Sequence, residues 1–185
     1  MLKLQEKYKK EIIPAMIKKF GYHNLMAVPK LEKVVINTGF GKMISGRNAD
    51  EQKKVQEAIL NDLTLIAGQK IVFTKAKKSI ATFKTRQGMI IGAMVTLRRK
   101  KMFDFLDRLI HIVFPRTRDF SGIKLKSIDK TGNLTIAIKE HIVFPEIMPE
   151  KIRFILGLEI TVVTTAKTYE ESLELLKLLG FPMKK

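Results

Sequence analysis

A long stretch of the chain, between Asp62 and Asp104, carries positive charge and no carboxylate. The composition of the whole chain predicts several acidic residues there, and ten basic ones are found instead. Lysine and arginine side chains neutralise phosphate oxygens, so this spacing indicates binding of a polyanion rather than catalysis. The ten residues are Lys70, Lys75, Lys77, Lys78, Lys84, Arg86, Arg98, Arg99, Lys100 and Lys101.

Residues 75–88 have no clean periodicity and predict a long, projecting basic loop. Its hydroxyl and amide groups can hydrogen-bond phosphate or 2′-hydroxyl groups, Phe83 can stack on a base, and Gly88 permits close approach. The alternative is a solvated basic loop with Phe83 in the core. We favour RNA contact because of the net charge of the chain. The candidate contacts in the loop are Lys75, Lys77, Lys78, Ser79, Lys84 and Arg86.

The composition narrows the possible classes of protein. A net charge of +17 with 45% hydrophobic residues indicates a folded protein with a polyanionic partner, nucleic acid before a membrane surface. The absence of cysteine excludes disulfides, thiolate zinc sites and cysteine nucleophiles. No phosphate-binding loop, nucleophile elbow or metal-ligand spacing of histidines is present. We therefore expect no catalytic site, no metal and no cofactor, and we expect a cytoplasmic protein with no membrane partner.

The elements that must position the basic residues follow from hydrophobic periodicity. Helical spacing predicts helices over 2–20, 52–67 and 102–114, and the capping box of Thr168 and Glu171 opens a last helix that ends at Gly180. Alternating or short apolar runs predict strands over 31–38, 71–74, 90–98, 133–139 and 158–165. The fold class is α+β: one domain over residues 1–185, with an antiparallel sheet, helices packed on one face and a projecting basic loop over 75–88.

Strand alternation turns Asn37 and Thr96 away from the apolar faces of their strands. Polar groups would then line the open side of the sheet, where several RNA-binding modules bind their ligand. An ordinary exposed strand residue is an equally good interpretation of each.

Several sequence motifs occur in a characteristic order along nearly the whole chain. They are Val28-Pro29-Lys30-Leu31-Glu32-Lys33, Asn37-x-Gly39-x-Gly41, Ala67-Gly68-Gln69-Lys70, Thr74-Lys75-Ala76-Lys77-Lys78-Ser79-Ile80-Ala81-x-Phe83-Lys84-x-Arg86-Gln87-Gly88, Gly92-x-x-Val95-Thr96-Leu97-Arg98, Pro115-Arg116-x-Arg118-Asp119-Phe120, Phe144-Pro145-Glu146-Ile147 and Thr164-Thr165-Ala166-Lys167. In these motifs the chain resembles the bacterial L-five family of large-subunit ribosomal proteins. The segment 74–98 is specific by itself, whereas the short C-terminal motifs are not.

The resemblance implies a structural constituent of the large ribosomal subunit, located in the cytoplasm within the ribosome. It implies binding to 5S rRNA and other large-subunit rRNA, and a place in the central protuberance beside its other proteins. The basic loop would contact P-site tRNA, and residues 142–148 would face the small-subunit protein S-thirteen across a bridge. The implied rRNA-binding residues are Lys33, Asn37, Gln69, Phe83, Thr96 and Arg98, and the implied bridge residues are Ile142, Phe144, Glu146 and Met148.

The chain departs from the family pattern in two places. Ser121 stands where many relatives have arginine, which removes one expected phosphate contact. Residues 42–54 are longer and differently composed, so the resemblance assigns nothing to them.

Two other classes share some of these features. An RNA-modifying or RNA-cleaving enzyme would have the basic surface but needs an acid/base pair or a metal site that the sequence does not display. A peripheral membrane protein needs helices with a lysine-rich face opposite large apolar residues, and only residues 2–20 approach that pattern.

Overall fold

A five-stranded antiparallel sheet with helices forms the protein, which confirms the predicted α+β class. The computed structural model describes residues 4–118 and 120–184 and, within them, every side chain except that of Lys151. The first two residues of the helix predicted over 2–20, and Asp119 of the motif at 115–120, lie outside the described residues. The strand order is β2-β3-β1-β5-β4, with β1 Leu31–Gly39, β2 Val72–Lys75, β3 Ile90–Leu97, β4 Leu134–Ile138 and β5 Leu158–Thr164.

The predicted strands are all present; β1, β3, β4 and β5 each bury one face, whereas no residue of β2 is buried. Along β1, Val34, Ile36 and Thr38 are buried while the residues between them are partly exposed. Strands β4 and β5 alternate in the same way. This alternation is the pattern expected when one side of a sheet packs on a core and the other does not.

The α-helices follow the predicted segments with three corrections at their ends. The helix predicted from residue 52 begins earlier, at Ala49, and a short helix that was not predicted precedes it. The helical segment predicted over 102–114 begins earlier, at Arg99, and continues through Arg116. The α-helices are α1 Leu4–Lys7, α2 Ile13–Phe20, α3 Gly41–Ile44, α4 Ala49–Ala67, α5 Arg99–Arg108, α6 Phe114–Arg116 and α7 Tyr169–Leu179.

Two prolines lie inside helical segments and are accommodated by the same device. Pro14 follows a π-helical turn at Tyr8–Ile12, and Pro115 follows one at Leu109–Val113. A proline lacks the N–H that an α-helix needs, and its ring clashes with the carbonyl four residues earlier. The wider π-turn moves that carbonyl, so the chain stays helical on both sides of each proline.

Glycines end three helices, and the predicted capping box opens the last of them. Gly21, Gly68 and Gly180 adopt left-handed conformations after α2, α4 and α7. In the capping box, the Thr168 hydroxyl accepts the Glu171 N–H, while the Glu171 carboxylate accepts the Thr168 N–H. These interactions fix where the helices begin and end.

The chain divides into two compact units, Met1–Val35 with Leu97–Ile136 and Ile160–Lys185, and Ile36–Thr96 with Ala137–Glu159. In the first unit, the buried hydroxyls of Thr164 and Ser172 both donate to the carbonyl of Gly132, at 2.8 and 2.6 Å. In the second, the Thr38 hydroxyl donates to the Gly157 carbonyl at 2.8 Å. The single-domain organisation expected from the sequence stays a prediction.

Candidate nucleic-acid interface

Two candidate rRNA-binding residues of the second unit meet through a hydrogen bond. The side-chain amide of Gln69, just after α4, donates to the carbonyl of Thr96, near the end of β3, at 2.7 Å. Both residues are half-buried. The bond holds the Gln69 amide against the backbone of Thr96, so the two candidate residues are neighbours in the structure.

Asn37 belongs to the same unit and lies on β1, the strand adjacent to β3 in the sheet. Its side chain is half-buried and borders a small cleft of about 370 Å³ with Lys139 and Glu159. Its neighbours Ile36 and Thr38 are buried, so Asn37 points away from the core as alternation predicts.

Lys33 and Arg98, in the first unit, approach the same carboxylate. Their charged nitrogens lie 3.8 and 3.7 Å from Oε1 of Glu32. These are long, exposed ion pairs, and such pairs contribute little to stability. Both cations can therefore exchange Glu32 for a phosphate at little cost.

The basic loop, residues 75–88, forms a hydrogen-bonded hairpin rather than an irregular loop. At its base, the Ala76 N–H donates to the Met89 carbonyl at 2.8 Å, and the Gly88 N–H donates to the Ala76 carbonyl at 3.0 Å. Near its tip, Ile80 and Thr85 exchange backbone hydrogen bonds. All six candidate tRNA contacts of the loop are exposed: Lys75, Lys77, Lys78, Ser79, Lys84 and Arg86.

Phe83 lies on the surface of the loop, with 61% of its area exposed, which excludes a place in the core. It belongs to a single 3-10 turn, Ala81–Phe83, which closes at Lys84 in the left-handed conformation. The Ser45 hydroxyl donates to the Phe83 carbonyl at 3.2 Å. The ring is thus presented to solvent on a backbone that is held in place.

The segment with the four candidate bridge residues contributes to both core and surface. Phe144 is buried and Met148 is 60% exposed, while Ile142 and Glu146 are half-buried. The buried ring of Phe144 therefore anchors the segment to the core, and Met148 presents an apolar side chain at the surface. Met148 borders a groove of about 620 Å³ beside α4, together with Leu65. The charged residues that line this groove are Lys54, Glu57, Asp62, Glu146 and Arg153.

A buried imidazole behind this groove was not found by sequence reasoning. His141 accepts the Leu156 N–H at Nδ1 (3.2 Å), so its proton lies on Nε2, 3.5 Å from Oδ2 of Asp62. Burial lowers the pKa of His141, against the opposing pull of Asp62. Burial likewise raises the pKa of Asp62. The histidine is held neutral and has a structural role. Because His141 and Asp62 are far apart in the sequence, no local pattern could have predicted that they form a pair.

Within the ranges 4–118 and 120–184, no cluster of three or more metal-ligating side chains is found. No helix among the described residues is both long and apolar enough to cross a bilayer. The polar and charged groups described above are suited to hold a ligand by hydrogen bonds and charge.

A mixed α+β scaffold that displays a basic hairpin, an exposed aromatic ring and polar strand residues defines an RNA-binding structural protein. Comparison with known families is more specific. Residues 24–86 match the family described as Ribosomal protein L5, and residues 90–183 match the family described as the C-terminus of the same ribosomal protein. The chain belongs to the ribosomal protein L5 family.

Similar proteins cover the chain from end to end. Each is a "Large ribosomal subunit protein uL5". The protein from Clostridium beijerinckii is 55% identical over 98% of each chain, and that from Caldanaerobacter subterraneus is 52% identical over 100% of each. The protein from Geobacter sulfurreducens is 53% identical over 100% of this chain and 99% of its own. The chain is accordingly a structural, non-enzymatic constituent of the large ribosomal subunit that associates with rRNA, in the cytoplasm.

Proposed function

We propose that this protein binds 5S rRNA and helps to form the central protuberance, together with its other proteins. The observation that carries the proposal is the Gln69–Thr96 hydrogen bond, because it joins two residues that the family resemblance assigned to one RNA surface. Asn37 and Phe83, of the same unit, add an amide and an exposed ring. Lys33 and Arg98 supply phosphate contacts from the first unit.

The basic hairpin serves a second RNA, the P-site tRNA. Its exposed cations stand on a hydrogen-bonded hairpin, so little chain entropy is lost when they meet phosphates. No carboxylate lies between Asp62 and Asp104 to repel a phosphate backbone. This combination supports contact with the backbone of a folded RNA.

The groove at Met148 serves a protein partner, the small-subunit protein S-thirteen. Three carboxylates border it together with two cations, Lys54 and Arg153, and Leu65 and Met148 expose apolar surface there. Apolar area with charges of both signs at its rim suits a protein surface, whereas the carboxylates would repel an RNA backbone. The segment 142–148 therefore supports an intersubunit bridge.

The test of 5S rRNA recognition compares Asn37→Ala and Thr96→Ala with the wild type at one fixed salt concentration. Loss of a buried polar contact to RNA should weaken binding by about tenfold for each. Thr161→Ala is the matched control, because Thr161 is also a half-buried strand threonine but is not a candidate contact.

The proposal requires weaker binding in the first two variants and unchanged binding in the control. Wild-type affinity for both RNA-contact variants would remove Asn37 and Thr96 from the interface. A wild-type protein that binds 5S rRNA no better than an unrelated stem-loop would overturn 5S recognition itself.

A further inference from the structure

The groove beside α4, in the second unit, contains a carboxylate that lacks a permanent cation. Asp62 has only 25% of its side chain exposed, and it pairs with no lysine or arginine among the described residues. A half-buried carboxylate has lost part of its water, and without an opposite charge that loss is not compensated. Burial accordingly raises the pKa of the Asp62 carboxyl, against the opposing pull of His141.

The imidazole of His141 lies next to this carboxylate but does not neutralise it. His141 is fully buried, and its Nδ1 accepts the Leu156 N–H at 3.2 Å. Its Nε2 lies 3.5 Å from Oδ2 of Asp62 and makes no hydrogen bond among the described residues. Because the histidine is neutral, the negative charge of Asp62 is left for a ligand that enters the groove.

The walls of the groove suit the stem of a long aliphatic side chain. Its volume of about 620 Å³ lies within the ~300–1,000 Å³ typical of sites that enclose a small ligand. Leu65 and Met148, which are 57% and 60% exposed, present apolar surface there. Lysine and arginine pack their methylene stems on such surface while the charged end reaches a polar group.

The charge of the groove sets the charge of its occupant. Its three carboxylates outnumber its two cations, so the ionised groove carries one net negative charge in a chain of +17. One monovalent cation neutralises it, whereas a phosphate chain would add to its negative charge. Lys54 and Arg153 also oppose a second positive charge. The occupant that fits is one lysine or arginine side chain of a protein.

We propose that this groove receives a single lysine or arginine side chain of the protein across the intersubunit bridge, and that Asp62 selects it. The proposal rests on the proposed bridge to the small-subunit protein S-thirteen. It adds helix α4 to an interface for which the resemblance named only residues 142–148. The stem of the incoming side chain lies against Leu65 and Met148, and its charged end binds the Asp62 carboxylate.

The first experiment removes the charge of Asp62 and keeps its shape. Purified S-thirteen is titrated into large subunits that carry Asp62→Asn, and its binding should weaken by about 10- to 150-fold, the range for losing a hydrogen bond to a charged group. Asp107→Asn is the matched control and should bind like the wild type. Asp107 is also a half-buried helix aspartate beside a histidine, His111, and does not line the groove.

The stability of the same variant separates a binding role from a structural one. Because folding raises the pKa of Asp62, its ionised form makes the folded state less stable above that pKa. Asp62→Asn should therefore be at least as stable as the wild type in denaturant titrations of the full-length protein at about pH 7.5, although it binds S-thirteen less well. A less stable Asp62→Asn protein would assign this carboxylate to the fold and contradict the proposal.

The second experiment identifies the incoming cation. Each lysine and arginine of S-thirteen is changed to glutamine in turn, and binding is measured to subunits with the wild-type protein and with Asp62→Asn. The residue that enters the groove should lose affinity for the wild type and show little further loss against Asp62→Asn. Every other change should have the same effect on both.

Two results would overturn the groove proposal and leave the bridge intact. One is binding to Asp62→Asn that equals binding to the wild type or to Asp107→Asn, and the other is additive behaviour for every basic residue of S-thirteen. Failure of wild-type subunits to bind S-thirteen would instead reject the bridge, and the groove proposal with it.

Discussion

At the scale of single residues, His141 makes stability depend on pH. Its folded-state pKa is lowered from 6.5 by burial, and its Nδ1 is occupied by the Leu156 N–H. The unfolded chain binds a proton as pH falls through about 6.5, and the folded chain does not. Stability is therefore full above 6.5 and declines below it, by at most ~1.4 kcal/mol per pH unit.

We expect the free energy of unfolding to fall more steeply in the wild type than in His141→Gln between about pH 7.5 and 5.5. Denaturant titrations at each pH measure it. The raised pKa of Asp62 acts in the opposite direction, so it does not imitate this slope. Parallel curves for the two proteins would show that His141 is not the group responsible.

Met148 gives a second prediction at this scale, for the bridge. Met148→Ser should weaken binding to the small-subunit protein S-thirteen, because it removes apolar area from the groove. Ile155→Ser is the matched control, since Ile155 is similarly exposed (54% against 60%) but does not border the groove. Titration of purified S-thirteen into large subunits that carry each variant measures the effect. Equal losses would indicate a general surface effect instead of a bridge contact.

At the scale of elements, the sequence predicts what depends on local pattern. Asn37 and Thr96 were placed on the open side of the sheet by alternation, and the capping box at Thr168 was read directly from two residues. The π-turns before Pro14 and Pro115 were missed because hydrophobic spacing looks nearly the same for one π-turn within an α-helix.

The parts that depend on tertiary contacts could not be read from the sequence. The Gln69–Thr96 bond spans 27 positions, and nothing local requires it. An apolar cleft of about 1140 Å³ is lined by residues of α3, β3 and the hairpin, and residues 42–54 carried no recognisable motif. The sequence left Phe83 either stacked on a base or in the core, and its exposure in the structure excludes the core. The bond from Ser45 to its carbonyl spans 38 positions and has no local signal.

The hairpin yields a prediction at this scale. Lys75→Gln with Arg86→Gln removes two exposed loop cations that do not line the apolar cleft. Ribosomes that carry this protein should release P-site tRNA faster, while 5S rRNA still binds with its specificity intact. Lys9→Gln with Lys10→Gln, two exposed lysines far away in sequence, controls for total charge. Unchanged tRNA release, or release equal to that of the control, would remove the hairpin cations from tRNA contact.

At the scale of the whole molecule, the charge of +17 and the specific contacts make separate contributions to binding. Counterion release acts on any RNA and falls with salt in proportion to the number of phosphates neutralised. The proposed RNA contacts of the Gln69 amide, the Thr96 hydroxyl and the Phe83 ring involve no charged group, so the proposal predicts that their contribution is nearly independent of salt. We therefore expect affinities for 5S rRNA, tRNA and an unrelated stem-loop to converge at low salt and to separate as salt rises.

A salt series for the three RNAs measures this, with Thr96→Ala run in parallel. The variant should keep the wild-type salt slope and shift only the intercept for 5S rRNA, since threonine carries no charge. Lys33→Gln should instead reduce the slope by about one unit for 5S rRNA. If all three RNAs were released together as salt rises, binding would reflect charge alone, and the polar patch at Gln69 and Thr96 would have no part in choosing the RNA.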